Sequence, residues 1–176
     1  KVIITATPYR NDLFSFDIDA DHSYIYTYKQ AIADQVIVSP KFETIAIPQS
    51  NEDINEDTDF SEIYNKLNTI KELQPDAVCI IKCKEFSNIE KFFLKFKQSF
   101  KTVAIHEQFK DKGIDDTFSY VPADLAELGY EVLIHQRKLD EGIDIPEAKV
   151  LILTYPVGSG KELVQTVGRV VRIYQD

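Results

Sequence analysis

The sequence predicts an α/β domain in which helices flank a parallel β-sheet. Two observations carry this. Short continuous apolar runs such as Ala77-Val78-Cys79-Ile80-Ile81 have the composition of strands buried on both faces. Between such runs lie segments that are apolar at helical spacing, as in Phe60-Ile63-Tyr64-Leu67-Ile70-Leu73. Strands that alternate with helices imply right-handed crossovers, and crossovers imply parallel pairing.

Taken in order, residues 1–8 read as a strand running into a turn. Residues 24–28 alternate and are rich in tyrosine, as an edge strand would be. A short helix over 29–35 and a strand around 42–47 follow, and Pro48 with the acidic run behind it marks a boundary. The helical pattern of 60–73 leads to the strand at 77–81. Ser87 is placed to cap a helix whose Ile89, Phe92, Phe93 and Phe96 form one face. Those phenylalanines read as core material rather than as base-stacking groups. Val103-Ala104-Ile105 is the next strand. Pro122 can start a helix through Leu125 and Leu128 that Gly129 ends. Strands at 130–134 and 149–153 and a helix from Glu162 onward complete the pattern.

At 176 residues and 44% hydrophobic, the chain is long and apolar enough for a packed globular domain. It contains no apolar run of membrane-spanning length and no signal-peptide pattern, so no membrane partner and a cytoplasmic location are expected. Cys79 and Cys83 have no neighbouring cysteine pair or histidine pair. Buried free thiols in a reducing compartment are therefore expected, and no metal site. The formal net charge of −9 argues against a general polyanion-binding surface. Six of the carboxylates, Glu52, Asp53, Glu56, Asp57, Asp59 and Glu62, lie in one run, and subtracting them from −9 leaves −3 for the rest. A local basic groove is thus neither excluded nor supported. The run itself reads as a solvated linker.

Two motifs carry chemistry. Gln165-Thr166-Val167-Gly168-Arg169-Val170-Val171-Arg172 sets two arginines three apart, on one face if the segment is helical. Guanidinium groups at a helix start beside a glycine suit phosphate oxygens, while a solvated Gly-Arg turn fits the same residues. Upstream lies Asp140-Glu141-Gly142-Ile143-Asp144-Ile145-Pro146, followed by the apolar run 150–153. In an open parallel sheet, ligands collect at the carboxyl ends of the strands, and the loops at 136–145 and 155–161 both follow strands. Asp144 there is a candidate ribose contact, and taken alone it also fits a plain turn residue. Gly158-Ser159-Gly160-Lys161 has some of the look of a P-loop. The pattern, however, needs Gly and Ser/Thr where this chain has Tyr155 and Glu162, so an ordinary loop is expected.

The order strand, Glu-Gly-Ile-Asp-Ile-Pro, strand, Gln-x-x-Gly-Arg-x-x-Arg resembles motifs V and VI of superfamily 2 helicases. Val2-Ile3-Ile4-Thr5-Ala6-Thr7-Pro8-Tyr9-Arg10 resembles their motif III. Within the superfamily the chain is similar to DEAD/DEAH-type helicases related to type I and III restriction-enzyme subunits. In those, Thr-Ala-Thr-Pro-x-Arg precedes a tyrosine-rich strand, an Ala-Ile-x-Asp helix and a new strand, here 24–28, 30–34 and 36–40.

The resemblance implies a RecA-like second motor lobe over 60–176, an acidic linker or insertion at 49–59, and the end of a first lobe at 1–48. It implies ATP and Mg²⁺ as cofactors, with nucleic acid (DNA favoured over RNA) and the first lobe as partners, in the setting of a restriction or antiviral-defence complex. Arg172 and Arg169 map onto the arginines that reach the γ-phosphate, and Gln165 opens the same motif. Gly142, Asp144 and Gly168 map onto nucleotide contacts. Thr5 and Thr7 map onto the hydroxyls that couple the two lobes. Many relatives carry a threonine shortly before the motif V glycine. This chain has His135-Gln136-Arg137 near that point, so Gln136 or Arg137 is the candidate for the nucleic-acid contact. No Walker A lysine occurs, and no Asp-Glu box apart from the Asp140-Glu141 of the segment already matched to motif V, so the chain is expected to be part of a larger protein and inactive alone. The alternative is a degenerate lobe that serves as a non-catalytic interaction module.

Overall fold

The structure is a computed structural model that describes residues 21, 24–45, 56–136, 145, 147–168, 170 and 171. Its centre is a five-stranded sheet of β1 (Val78–Cys83), β2 (Thr102–Ile105), β3 (Thr117–Phe118), β4 (Val132–Gln136) and β5 (Ala148–Leu153). The strand order is β3-β2-β4-β1-β5 and every pairing is parallel. Cys83 lies opposite Gln136, Ile105 opposite His135 and Lys82 opposite Leu153, so the carboxyl ends of the central strands form one edge.

The side-chain period of two divides the core into two faces. Cys79, Ile81, Cys83, Ala104, Val132 and Ile134 face helices α2 (Glu56–Leu73) and α3 (Phe86–Phe96), which bury Ile63, Leu67, Ile89, Phe93 and Phe96 against them. The alternate residues Ile80, Val103, Ile105 and Leu133 face Leu125, Tyr130, Ile145 and Ala148. Each fully buried leucine or phenylalanine contributes roughly 1.5–3 kcal/mol by leaving water. That is why the apolar runs become strands covered on both sides.

Helix α1 (Tyr28–Ala33) is fixed by a capping box. Gln30 Oε1 accepts from Thr27 N–H at 2.9 Å, and Thr27 Oγ1 accepts from Gln30 N–H at 3.2 Å. This corrects the expected tyrosine strand: residues 24–27 are not in a strand, and Tyr24 and Ile25 are exposed. The new strand expected from Val36 is a single bridge at Ile37, and Val38 N–H donates to Val171 O at 2.9 Å. Residues 41–45 have no regular structure, because Glu43 turns out to Lys41 and Lys66 while Ile45 packs on the core.

Three further boundaries differ. The cap residue of α3 is Glu85, so Ser87 lies inside the first turn. The helix expected from Pro122 is only the 3₁₀ turn Leu125–Leu128, ended as foreseen by Gly129 at φ 61°. Helix α2 begins at Glu56, inside the acidic run.

Among the described residues no helix is long and apolar enough to cross a membrane, and no group of three or more His, Cys, Asp or Glu is placed to hold a metal ion. Cys79 and Cys83 are free and buried.

Candidate functional site

From β1 the chain crosses over β4 to reach β2, and from β4 it crosses over β1 to reach β5. The connections leaving these two adjacent strands therefore run in opposite directions. That makes the carboxyl end of the β1–β4 pair a topological switch point, where a ligand crevice forms in sheets of this class.

Gln136 stands at that point, at the end of β4. Its Oε1 lies 2.7 Å from His106 Nε2 and its Nε2 donates to the Lys84 carbonyl at 2.9 Å. His106 follows β2, and its Nδ1 accepts from Gln108 N–H at 3.1 Å. With Nδ1 an acceptor, the ring proton sits on Nε2 and points at Gln136. Phe86 packs on the other side of the imidazole, ring centroids 4.6 Å apart. One glutamine thus ties together the ends of three strands. His135, the residue before it, is also buried, and its Nδ1 lies 2.6 Å from the Gln136 carbonyl oxygen.

The second part of the site is the helix after β5, α4 (Gly160–Val167). Ser159 caps it by accepting from Glu162 N–H at 3.2 Å. The glycine-rich loop therefore closes as a plain N-cap, with a carboxylate-bearing residue in the helix's first turn. Thr166 and Val167 are buried, whereas Leu163, Val164 and Gln165 are exposed. Under α4 lies Lys82, at 0% exposure. Its Nζ is 3.6 Å from Glu162 Oε1, 3.2 Å from Thr166 Oγ1 and 5.9 Å from the centre of the Tyr155 ring. Tyr155 in turn donates to Glu162 Oε1 at 3.0 Å.

Gln136, Gln165 and Gly168 are the sequence-predicted site residues the structure describes: Gln136 ends β4, Gln165 lies in α4 and Gly168 is its C-cap. Arg169 and Arg172 were expected at a helix start; α4 instead ends at Val167 with Gly168 as its C-cap, so in sequence they follow its carboxyl end. Gly168 has φ −54°, which any residue adopts. A Cβ there would meet Val164 O at 3.1 Å and the Tyr28 hydroxyl at 3.2 Å, and that hydroxyl donates to Val164 O at 3.2 Å. Thr5, Thr7, Arg137, Gly142, Asp144, Arg169 and Arg172 lie outside the described residues. Ile145, next to Asp144, is buried in the second core cluster and accepts from Ala148 N–H at 3.0 Å.

Lys82 and His106 were not foreseen. A signal for Lys82 was present: a lysine interrupts the apolar run at the same side-chain phase as Ile80, and a buried strand lysine requires partners. His106 follows its strand directly, but only the strand order reveals that it meets Gln136.

Residues 62–174 match the helicase conserved C-terminal domain family, and the chain belongs to that family. The parallel sheet described above is thus the RecA-like second lobe of a superfamily 2 helicase. Among solved structures, the chain is similar to the Pyrococcus furiosus Hef helicase domain at 17% identity and a TM-score of 0.47. The likeness covers 64% of this chain and 22% of that one. No curated protein matches the chain.

Proposed function

We propose that this chain is the second motor lobe of an ATP-dependent superfamily 2 helicase or translocase, closing on nucleotide held mainly by a first lobe. The observation that carries this reading is the family match over residues 62–174, which spans both glycine-containing motifs and the strands whose ends form the switch point. Bound ATP with Mg²⁺ supplies a phosphoanhydride bond whose cleavage drives the motor. Toward that group this chain contributes Arg172 and Arg169 as planar cations for phosphate oxygens, and Asp144 as an acceptor for a ribose hydroxyl. Gln165, on the exposed side of α4, contributes a polar group at the lobe interface.

At the other part of the edge, Gln136 or Arg137 meets nucleic acid at its backbone, since a motor must move over any sequence. Cleft closure and opening change that grip, which couples hydrolysis to movement. DNA is the favoured nucleic acid and a cytoplasmic restriction or defence complex the favoured setting, both from the resemblance to restriction-enzyme subunits. Residues 1–48 belong in this reading to the end of the first lobe and the connecting strands, 49–59 to a linker or insertion, and 60–176 to the second lobe.

The test is ATP hydrolysis by the intact protein with and without single- and double-stranded DNA and RNA. Turnover stimulated by nucleic acid is expected, with none from the isolated 176-residue chain. An intact protein that binds a partner protein but neither binds nor hydrolyses ATP would instead make this lobe a non-catalytic interaction module.

A further inference from the structure

Lys82 is the one fully buried lysine among the described residues, and nothing in the motor chemistry calls for it. Its surroundings show what it holds. It sits on β1 opposite Leu153, two residues before Lys84, whose carbonyl fixes Gln136. The Lys82 carbonyl accepts from Thr154 N–H at 3.1 Å and from Thr154 Oγ1 at 3.2 Å, which anchors the start of the loop into α4. Its ammonium then reaches Glu162 and Thr166, one helical turn apart on the buried side of α4. Thr166 Oγ1 donates to the Glu162 carbonyl at 2.7 Å, so its lone pair is available to the ammonium. Tyr155 closes the arrangement by donating to the same carboxylate oxygen that pairs with Lys82.

On its exposed side helix α4 is held by Tyr28, which donates to Val164 O at 3.2 Å. Of its eight residues, Val167 is the buried apolar one, while Leu163 and Val164 are exposed. Apolar contact is non-directional and tolerates a helix sliding or rolling over a sheet. A hydrogen bond to Thr166 and an ion pair to Glu162 from one Nζ, on consecutive turns, do not. Buried ion pairs add little net stability compared with apolar residues of similar volume, and their best-attested use is to fix register.

We infer that Lys82 is a positioning residue for α4: with Glu162, Thr166 and Tyr155 it forms a strut that sets the helix's register, and so where Gln165 and the arginine motif after it are presented to the nucleotide. This rests on the motor-lobe reading. It adds a link from the β1 edge, where Gln136 is held, to the helix that serves the phosphates. A misplacement of about 1 Å in a catalytic group can lower a rate on the order of a hundredfold, which sets the scale of the effect.

The experiment uses the intact protein and two variants, the double substitution Lys82→Met/Glu162→Leu and the single Glu162→Gln. The double variant replaces the pair by apolar side chains, so its melting temperature should stay close to wild type. Its nucleic-acid-stimulated kcat should nevertheless fall by about tenfold or more, with KM for ATP within about twofold, because register rather than binding is lost. Glu162→Gln, which leaves the Lys82 side chain in place, should show the same split more weakly. A double variant that melts like wild type and turns over like wild type would overturn the strut. Should the double variant not fold, Glu162→Gln carries the same test, and unchanged kcat in it would overturn the inference equally. Wild-type protein with no nucleic-acid-stimulated turnover would overturn the motor reading itself, and the strut's role with it.

Discussion

Replacing Gln136 by alanine should destabilise the lobe by about 2–3 kcal/mol, and the figure follows from its two hydrogen bonds. The first, with His106 Nε2 at 2.7 Å, joins a ring that is buried. Losing it leaves an N–H with no acceptor, because Nδ1 is already engaged by Gln108, and an unsatisfied buried polar group costs about 1–3 kcal/mol. The second, donated to Lys84 O at 2.9 Å, lies at the exposed edge, where water can replace the amide. That loss is worth at most about 1 kcal/mol. For a chain of this size each kcal/mol moves the melting temperature by about 2–4 °C, so a drop of about 4–12 °C is expected. Urea denaturation followed by circular dichroism should show a lower midpoint at unchanged slope, since the exposed surface is the same. In a double-mutant cycle with His106→Phe, which fills the ring's volume but offers no N–H, the two substitutions should couple by about 1 kcal/mol. A Gln136→Ala protein within 0.5 kcal/mol of wild type and uncoupled from His106 would refute the idea that this glutamine ties the strand ends together.

Phe96→Ala empties the centre of the aromatic cluster, where Phe96 is fully buried with Phe60 5.0 Å away edge-on; about 3–5 kcal/mol of stability should be lost in the same denaturation assay. Gly168→Ala should cost about 1–3 kcal/mol, because the added Cβ would meet Val164 O at 3.1 Å as well as the Tyr28 hydroxyl at 3.2 Å, and Tyr28→Phe should relieve only part of that loss. Burial pushes the Cys83 thiol up to about 12 and the Cys79 thiol up as well, so neither should react with Ellman's reagent in the folded protein at pH 8, whereas both should react in denaturant. The same shift makes the unfolded chain the first to lose its thiol protons. Stability should therefore decline as pH rises from about 9 toward 12, and Cys83→Ala should flatten that limb of the pH–stability curve.

What could be read from the sequence was the part governed by periodicity. The apolar runs became β1, β2, β4 and β5, and the spacing Ile89-Phe93-Phe96 became the buried face of α3, because burial on both sides of a sheet demands those patterns. The two-residue strand β3 was missed, since two residues hold no period. The tyrosines at 24–28 have strand composition, but the capping box between Thr27 and Gln30 gives the backbone a local alternative that composition does not register. For the site, motif spacing led to α4 and to Gln136. It could not show that Gln136 is held by His106 and Lys84, or that Glu162 faces Lys82, because those contacts join residues from different strands and turns. They follow from the strand order.

We propose that this lobe supplies cations to a nucleotide whose other contacts lie on a first lobe. The decisive measurement is ATP affinity and single-turnover hydrolysis of the intact protein with Arg172 replaced by alanine. An arginine acting on charge that develops in the transition state supplies about 10³–10⁵ in rate and little ground-state affinity. The account predicts hydrolysis reduced by at least about a thousandfold with ATP binding nearly unchanged, and incomplete recovery with Arg172→Lys, whose point charge lacks the planar fork. Hydrolysis near wild type in the alanine variant would contradict it.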